Sequence, residues 1–234
     1  DEKKKDSLLS GKNNAVLALL SGKGGGGGGD SGNNPNEDPG VVEAQATVTA
    51  LLAEGTIERL CEALVGKFLR LHTDEILEWE NDPEGRYETD LAEKSLLEVD
   101  SPRHCGGALL LTLMNRESER VSKTLLDLTQ KVYQQGDDAN AMLNREACYR
   151  SLELCHTAMV GRGERRLNFS EWFQAELLPI LQTDLDESTP VAMKAMQARA
   201  VQVVQAYSTS LKTGEFGIAF QTIARLIAAK DLVT

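Results

Sequence analysis

The stretch from Ala139 to Met159 reads ANAMLNREACYRSLELCHTAM, and its apolar residues recur at the spacing of one helical face. That face is formed by Leu143, Ala147, Leu154 and Ala158. The charged residues fall largely on the other side of the same helix: Arg145, Glu146, Arg150 and Glu153. Apolar residues three and four positions apart, opposed by charged ones, predict an amphipathic α-helix.

Three more helices are predicted after this one, so that the chain from Asp137 to Asp231 forms two antiparallel pairs. Ala139–Met159 pairs with Phe169–Gln182, and Pro190–Leu211 pairs with Phe216–Ala229. Thr189-Pro190 is a helix-start signal, since proline costs little in the first helical turn and threonine can cap it. Asn168 is predicted to cap the helix after it, and Pro179 to kink that helix, because proline removes a backbone donor.

The same pattern extends toward the N-terminus. Further helices are predicted at Val41–Ala53, Ile57–Leu71, Cys105–Met114 and Arg120–Gln135. Ser101-Pro102 repeats the cap-and-proline start of Thr189-Pro190. The helix starts at Ser101, Asp137 and Thr189 lie about 36 and 52 residues apart, which brackets the roughly 40 to 47 residues of a two-helix HEAT unit. The sequence therefore predicts an all-α fold over residues 41–234, an α-solenoid of HEAT-like antiparallel helix pairs. A closed helix bundle is the alternative, since the same amphipathic pairs could pack on themselves.

The first 40 residues have a different composition. Residues 1–21 are predicted as a charged N-terminal end with one short helix, and residues 22–40 as a flexible insertion, because six consecutive glycines at 24–29 cannot offset the entropy of ordering. A phosphate-binding loop is excluded here, since neither Lys12 nor Lys23 is followed by Ser or Thr. The first residue is Asp1, and the last residues look like an interrupted helix start, so a fragment of a longer superhelix is expected.

Acidity is the main functional signal in the composition. The formal net charge of −11 disfavours direct nucleic-acid binding and favours partners with a basic surface. Most of the excess negative charge lies at residues 74–100, which is predicted to be an acidic loop. The candidate protein-binding residues are Glu78, Trp79, Glu80, Asp82 and Glu84, with an exposed indole beside the carboxylates. The competing interpretation is a passive solvated loop with Trp79 packed under the Ile57–Leu71 helix.

Chemistry-bearing residues are sparse. The four cysteines, Cys61, Cys105, Cys148 and Cys155, lack both metal-ligand spacing and a disulfide framework, so they are predicted to be buried thiols. His104-Cys105 and Cys155-His156 are adjacent pairs, whose side chains point about 100° apart on a helix, which argues against a catalytic dyad or a metal site. We therefore predict no enzyme activity, no catalytic residues, no metal and no cofactor. No apolar run reaches the roughly 20 residues that span a bilayer, so no membrane partner is expected.

Five stretches, in this order, resemble the middle HEAT repeats of the importin-β (karyopherin-β) nuclear transport receptors, and within that family the importin eleven type. They are Ile76–Glu84, Ser101–Cys105, Phe169–Pro179, Arg199–Val201 and Lys230–Val233. The aspartate-proline-glutamate turn at 82–84 and the W-F…L-L-P helix at 172–179 are the most distinctive. The glycine insertion has no counterpart in the family pattern, and the arginine cluster common before the R-A-V helix is reduced to Lys194 and Arg199.

The resemblance implies a carrier that binds protein cargo, is controlled by the GTPase Ran and passes nuclear pores on phenylalanine-glycine nucleoporins. It implies shuttling between nucleus and cytoplasm, with time at the nuclear envelope. The alternative is a HEAT-repeat structural scaffold or adaptor subunit unrelated to Ran. Sequence beyond both ends of the chain would separate the two hypotheses.

Overall fold

A computed structural model describes residues 39–53, 55–94, 101–160, 167–186 and 188–228. Within these ranges the secondary structure consists of helices without a strand, so the all-α prediction is confirmed. The predicted N-terminal helix at 1–21 and the predicted insertion lie outside the described residues, except for Pro39 and Gly40, which are already helical.

The helices have the following bounds in chain order: α1 Pro39–Leu51, α2 Thr56–Ala63, α3 Thr73–Asn81, α4 Pro83–Lys94, α5 Pro102–Arg116, α6 Ser118–Tyr133, α7 Ala139–Leu154, α8 His156–Met159, α9 Phe169–Trp172, α10 Leu178–Gln182, α11 Val191–Ala206 and α12 Thr213–Ala228. Two π-helical segments, Leu64–Leu69 and Phe173–Leu177, continue α2 and α9, and a 3₁₀ turn at Ser208–Ser210 follows α11. The second π-helical segment ends at Leu177, two residues before Pro179, where the sequence predicts a kink.

The helices stack one upon another as an α-solenoid. α5 and α6 form a hairpin, α5 packs against the first π-helical segment, and α7 packs beside α6 on one side and along α11 on the other. The main core consists of side chains from all these helices, among them Leu110, Leu125, Tyr149, Leu152, Phe173 and Tyr207. The last helix, α12, packs on α10, whereas the sequence paired it with the helix before it.

The predicted helix caps are confirmed at one position and wrong at two. Ser101 Oγ accepts a hydrogen bond of 2.9 Å from the backbone N–H of His104, as a cap should. At the start of α11 the cap position is held by Pro190, because the Thr189 hydroxyl is engaged in the preceding turn, where it donates to Asp186 Oδ1 at 2.9 Å. Asn168 makes no side-chain cap hydrogen bond to α9.

The prediction of a loop over the acidic residues 74–100 is wrong for residues 74–94, the part that the structure describes. Thr73–Asn81 and Pro83–Lys94 are helices α3 and α4, separated only by Asp82. Backbone N–H groups at both helix starts donate to nearby carboxylates. Glu75 Oε2 accepts from the backbone N–H of His72 at 2.8 Å, and Asp82 Oδ1 accepts from the backbone N–H of Gly85 at 3.0 Å. Both carboxylates lie at helix N-termini, where negative charge is favourable, so acidity supports these helices.

Three of the four cysteines are buried, as predicted: Cys61, Cys148 and Cys155. Burial raises the pKa of each of these thiols to about 12, which leaves them protonated and unreactive near neutral pH. Cys105 is exposed, so the prediction is wrong there.

Candidate partner-binding site

Helices α3 and α4 form a short hairpin, here called the acidic hairpin (Thr73–Lys94), that holds the predicted site. Four of the predicted residues are exposed on it: Glu78, Glu80, Asp82 and Glu84. Leu77 is 48% exposed among them. The structure therefore leaves these four carboxylates, here called the acidic ridge, exposed on both sides of the turn at Asp82.

Trp79, the fifth predicted residue, is only 7% exposed, so the predicted exposed indole is wrong. It packs with Leu71 and Leu143 and with a row of alanines on α11: Ala192, Ala195 and Ala198. The competing interpretation, packing under the Ile57–Leu71 helix, is right about burial and about Leu71, while the other partners lie on α7 and α11. Ile76 and Trp79 are three residues apart and therefore share the face of α3 that meets the body of the protein.

Arg86 holds the two helices of the hairpin together. Its guanidinium donates to Glu75 Oε1 at 2.9 Å and Glu78 Oε2 at 3.1 Å on α3, and to Asp90 Oδ1 at 2.9 Å on α4. Arg86 and Asp90 are buried, whereas the side chain of Glu78 is 58% exposed. One arginine thus fixes the base of the hairpin, and it also reaches one ridge carboxylate, the partly exposed Glu78.

Beneath the hairpin lies a buried group of charged side chains, here called the arginine cluster: Asp90, Arg103, Glu146, Arg150, Glu153 and Arg199. They come from four helices, α4, α5, α7 and α11. Arg199 is central, because it donates to Glu146 Oε1 at 2.8 Å and to Glu153 Oε2 at 2.8 Å, and also bonds Asp90 and Gln202. Arg103 Nη2 donates to Glu146 Oε1 at 2.6 Å.

The pKa shifts of Asp90, Arg199 and Arg150 follow from this pairing of opposite charges. Burial alone would raise the pKa of Asp90, but the positive charges around it, Arg199 foremost, outweigh burial and hold that pKa well below its usual range. Burial alone would lower the pKa of Arg199, yet Asp90, Glu153 and Glu146 raise it well above its ordinary value. For Arg150, burial and the neighbouring Arg199 lower the pKa to about 10. All of these groups are therefore charged at neutral pH.

The sequence missed the arginine cluster because it placed Glu146, Arg150 and Glu153 on the charged side of α7. That side faces α11 and is buried. The detectable signal was Arg199, an arginine in the middle of the alanine- and valine-rich α11, since a helix that is apolar on more than one face forces its charged residues into an interface.

A cleft of about 500 Å³ opens where α7 and α11 end. The described residues that line it are Leu111, Glu153, Leu154, His156, Gln202, Gln205 and Ala206. The Tyr207 hydroxyl donates to the Leu152 carbonyl oxygen at 2.9 Å and so joins the two helix ends. His156 Nδ1 lies 3.0 Å from the Glu153 carbonyl oxygen.

The described residues contain no group of three His, Cys, Asp or Glu side chains placed to hold a metal ion. None of the described helices combines the length and apolarity that crossing a bilayer requires. This part of the chain presents three features: the exposed acidic ridge, the buried arginine cluster and the cleft.

The chain is similar to two known proteins named Importin-11. It is 25% identical to the mouse protein (Mus musculus) and 26% identical to the human one (Homo sapiens), in each case over 208 residues that cover 87% of this chain and 20% of the relative. The chain thus spans about a fifth of the length of these relatives. No protein-family model matches the chain, and no solved structure does. The similarity supports a relation to the importin-β family.

Proposed function

We propose that this chain is a segment of a nuclear transport receptor, which binds protein cargo and carries it through the nuclear pore under control of the GTPase Ran. The observation that carries the proposal is the similarity to Importin-11 over 87% of the chain. The stack of helices supports it, because α-solenoids offer extended surfaces for binding proteins. Ran and phenylalanine-glycine nucleoporins are the further partners of this proposal, with shuttling between nucleus and cytoplasm.

Within this function, the acidic ridge is the proposed contact for a basic cargo surface. Glu78, Glu80, Asp82 and Glu84 are exposed within seven residues of one another around the turn of the hairpin, and complementary charge would steer a basic partner toward them. Leu77, at 48% exposure, takes the place of the buried Trp79 as the apolar contact of the ridge. The arginine cluster supports this role, since it anchors Asp90 at the base of the same hairpin.

The experiment replaces the four ridge carboxylates by amides: Glu78→Gln, Glu80→Gln, Asp82→Asn and Glu84→Gln. Asparagine at 82 keeps the oxygen that accepts from Gly85, so the start of α4 is preserved. Binding of a lysine- and arginine-rich cargo and of Ran is measured at about 0.05 M and about 0.5 M salt, because salt screens exposed charges over a shorter distance at the higher concentration. We expect the variant to lose about tenfold in affinity for the basic cargo at low salt and much less at high salt.

The matched control removes the same number of negative charges elsewhere: Glu43→Gln, Asp127→Asn, Glu171→Gln and Asp184→Asn. These four carboxylates are exposed and lie on other elements. Equal losses in both variants would mean that net charge, not the ridge, drives binding. A chain that binds neither Ran nor nucleoporins nor basic cargo would favour the alternative, a helical scaffold unrelated to Ran.

A further inference from the structure

Between α10 and α11 the chain forms a surface loop that ends in Thr189-Pro190. Gln197 fixes the start of this loop, since its Nε2 donates to the Thr183 carbonyl oxygen at 2.8 Å. The described side chains that follow are all exposed or half-buried: Asp184, Leu185, Asp186, Ser188, Thr189 and Pro190. The described part of the loop after Thr183 can therefore move without exposing a core side chain, and segments of this kind open at low free energy.

Thr189 is held in this loop by hydrogen bonds to an exposed residue, Asp186. Its backbone N–H donates to the Asp186 carbonyl oxygen at 3.1 Å, and its hydroxyl donates to Asp186 Oδ1 at 2.9 Å. The hydroxyl oxygen also accepts from the Asp186 backbone N–H at 2.9 Å. Pro190, with φ −56° and ψ 138°, is extended and lies outside the helix. The hydroxyl and the proline after it are thus both on the surface.

The chain contains one more hydroxyl residue followed by proline, Ser101-Pro102, and its surroundings differ. There the proline is already the first residue of α5, and the next residue, Arg103, is 2% exposed and donates to Glu146 Oε1 at 2.6 Å. Extending the chain after Ser101 would break this buried ion pair, which is costly. The corresponding residue after Thr189 is Val191, which is uncharged and half-buried.

From this contrast we infer that Thr189 is a phosphorylation site for a proline-directed protein kinase, and that Ser101 is not a site in the folded protein. A kinase binds the residues around the hydroxyl in an extended form, so that the hydroxyl meets the γ-phosphate of ATP in line. Thr189 Oγ1 attacks the γ-phosphorus, the bond from phosphorus to the β,γ-bridging oxygen breaks, and ADP leaves. The hydroxyl proton passes to the catalytic aspartate of the kinase. The inference requires no transport partner and is independent of the proposed function.

The phosphate should replace one arrangement of the loop by another. It carries a charge of about −1.5 to −2 near neutral pH. The modified oxygen of Thr189 can no longer donate to Asp186, and the Asp186 carboxylate repels the phosphate. Lys194 is the fourth residue of α11, and the residue before a helix cap packs against that position. The phosphate should therefore leave Asp186 and pair with Lys194.

The test is phosphorylation of the folded 234-residue chain by a proline-directed kinase that also phosphorylates two free peptides, residues 183–195 and 95–107. The peptides present the same dipeptides without the fold. Mass spectrometry gives the rate at each site, and each rate in the chain is divided by the rate in its peptide. We expect this ratio to be at least about tenfold higher for Thr189 than for Ser101, because only Ser101 requires a buried ion pair to break.

Three results would overturn the inference: equal ratios at the two sites, a chain without phosphate at Thr189, or phosphate on Ser188 in its place. Thr189→Val is the matched variant, since valine keeps the shape of the side chain and removes the acceptor oxygen. It should abolish phosphorylation of the loop. Pro190→Ala should slow phosphorylation of Thr189, because it removes the residue that a proline-directed kinase selects, and an unchanged rate would contradict the assigned kinase class.

Amide hydrogen exchange tests the rearrangement. In the phosphorylated chain the Asp186 amide should exchange faster than in the unmodified chain, since the Thr189 oxygen that accepts its hydrogen bond moves away. The ammonium nitrogen signal of Lys194 should shift at the same time, and the exposed Lys212 is the control that should not shift. Unchanged exchange at Asp186 together with an unchanged Lys194 signal would overturn the pairing.

Discussion

Carboxylates of one hairpin occupy opposite environments. Glu80 and Glu84 lie on the outer side of the acidic hairpin in water, whereas Asp90, six residues further along α4, is 1% exposed and bonded to two arginines. Exposed ion pairs contribute little to stability, while a buried charge without its partner is costly. The outer carboxylates are therefore replaceable as far as folding is concerned, and the inner ones fix where the hairpin sits.

The largest loss of stability is expected when Arg199 is replaced. Arg199→Met leaves Asp90, Glu146 and Glu153 buried without their shared cation and should lower the free energy of unfolding by about 3–5 kcal/mol. Arg225→Met is the control, because the Arg225 side chain is 54% exposed and its carboxylate partner lies 3.8 Å away; it should cost no more than about 1 kcal/mol. Urea unfolding measures the stability of both variants. Similar losses would show that the buried and the exposed arginine contribute equally.

Trp79 joins the hairpin to α11 by apolar packing, and its replacement should cause the second-largest loss of stability. Trp79→Ala should cost about 3 kcal/mol, at the lower end for a buried tryptophan because the hairpin can settle into part of the space. Leu77→Ala, on the same helix but 48% exposed, should change stability much less. A Trp79→Ala variant as stable as Leu77→Ala would mean that the indole is not packed against the alanine row.

Low pH should destabilise the protein through protonation of Asp90 in the arginine cluster. Because the folded-state pKa of Asp90 is lowered, its contribution to stability is fully present above the unfolded value of about 4 and is lost as pH falls below it, by up to about 1.4 kcal/mol per pH unit. We therefore expect about 2 kcal/mol of acid-induced loss between about pH 4 and pH 2.5 that Asp90→Asn does not show. The carboxyl carbon resonance of Asp90 offers a direct check, and a titration midpoint near pH 4 would contradict the prediction.

The smallest effect is expected on the ridge itself. The double variant Glu80→Gln and Glu84→Gln should shift the melting temperature by less than about 2 °C, since both side chains are exposed. A larger drop would show that the ridge carboxylates have a structural role, and the cargo experiment would then need single substitutions. Circular dichroism at 222 nm, a measure of helix content, is sufficient for this comparison.

Much of the fold could be predicted because helices depend on local pattern. The helices from α5 to α12 were anticipated within a few residues, and Ser101 was identified as a cap. The acidic segment was misjudged as a loop, because its charge density hid an amphipathic face containing Ile76 and Trp79 and a pairing arginine at 86. Of the predicted site, four carboxylates lie on the exposed ridge, while Trp79 does not.

The sequence by itself determined the helical class, the approximate helix bounds and the acidity, since each depends on residues within a few turns of one another. The tertiary structure decided which charged residues are buried. Glu146 and Arg199 lie 53 residues apart in the chain, and their pairing depends on α7 and α11 packing in parallel. The periodicity of either helix records that a side is polar, but only the neighbouring helix determines whether that polar side meets water or an oppositely charged partner.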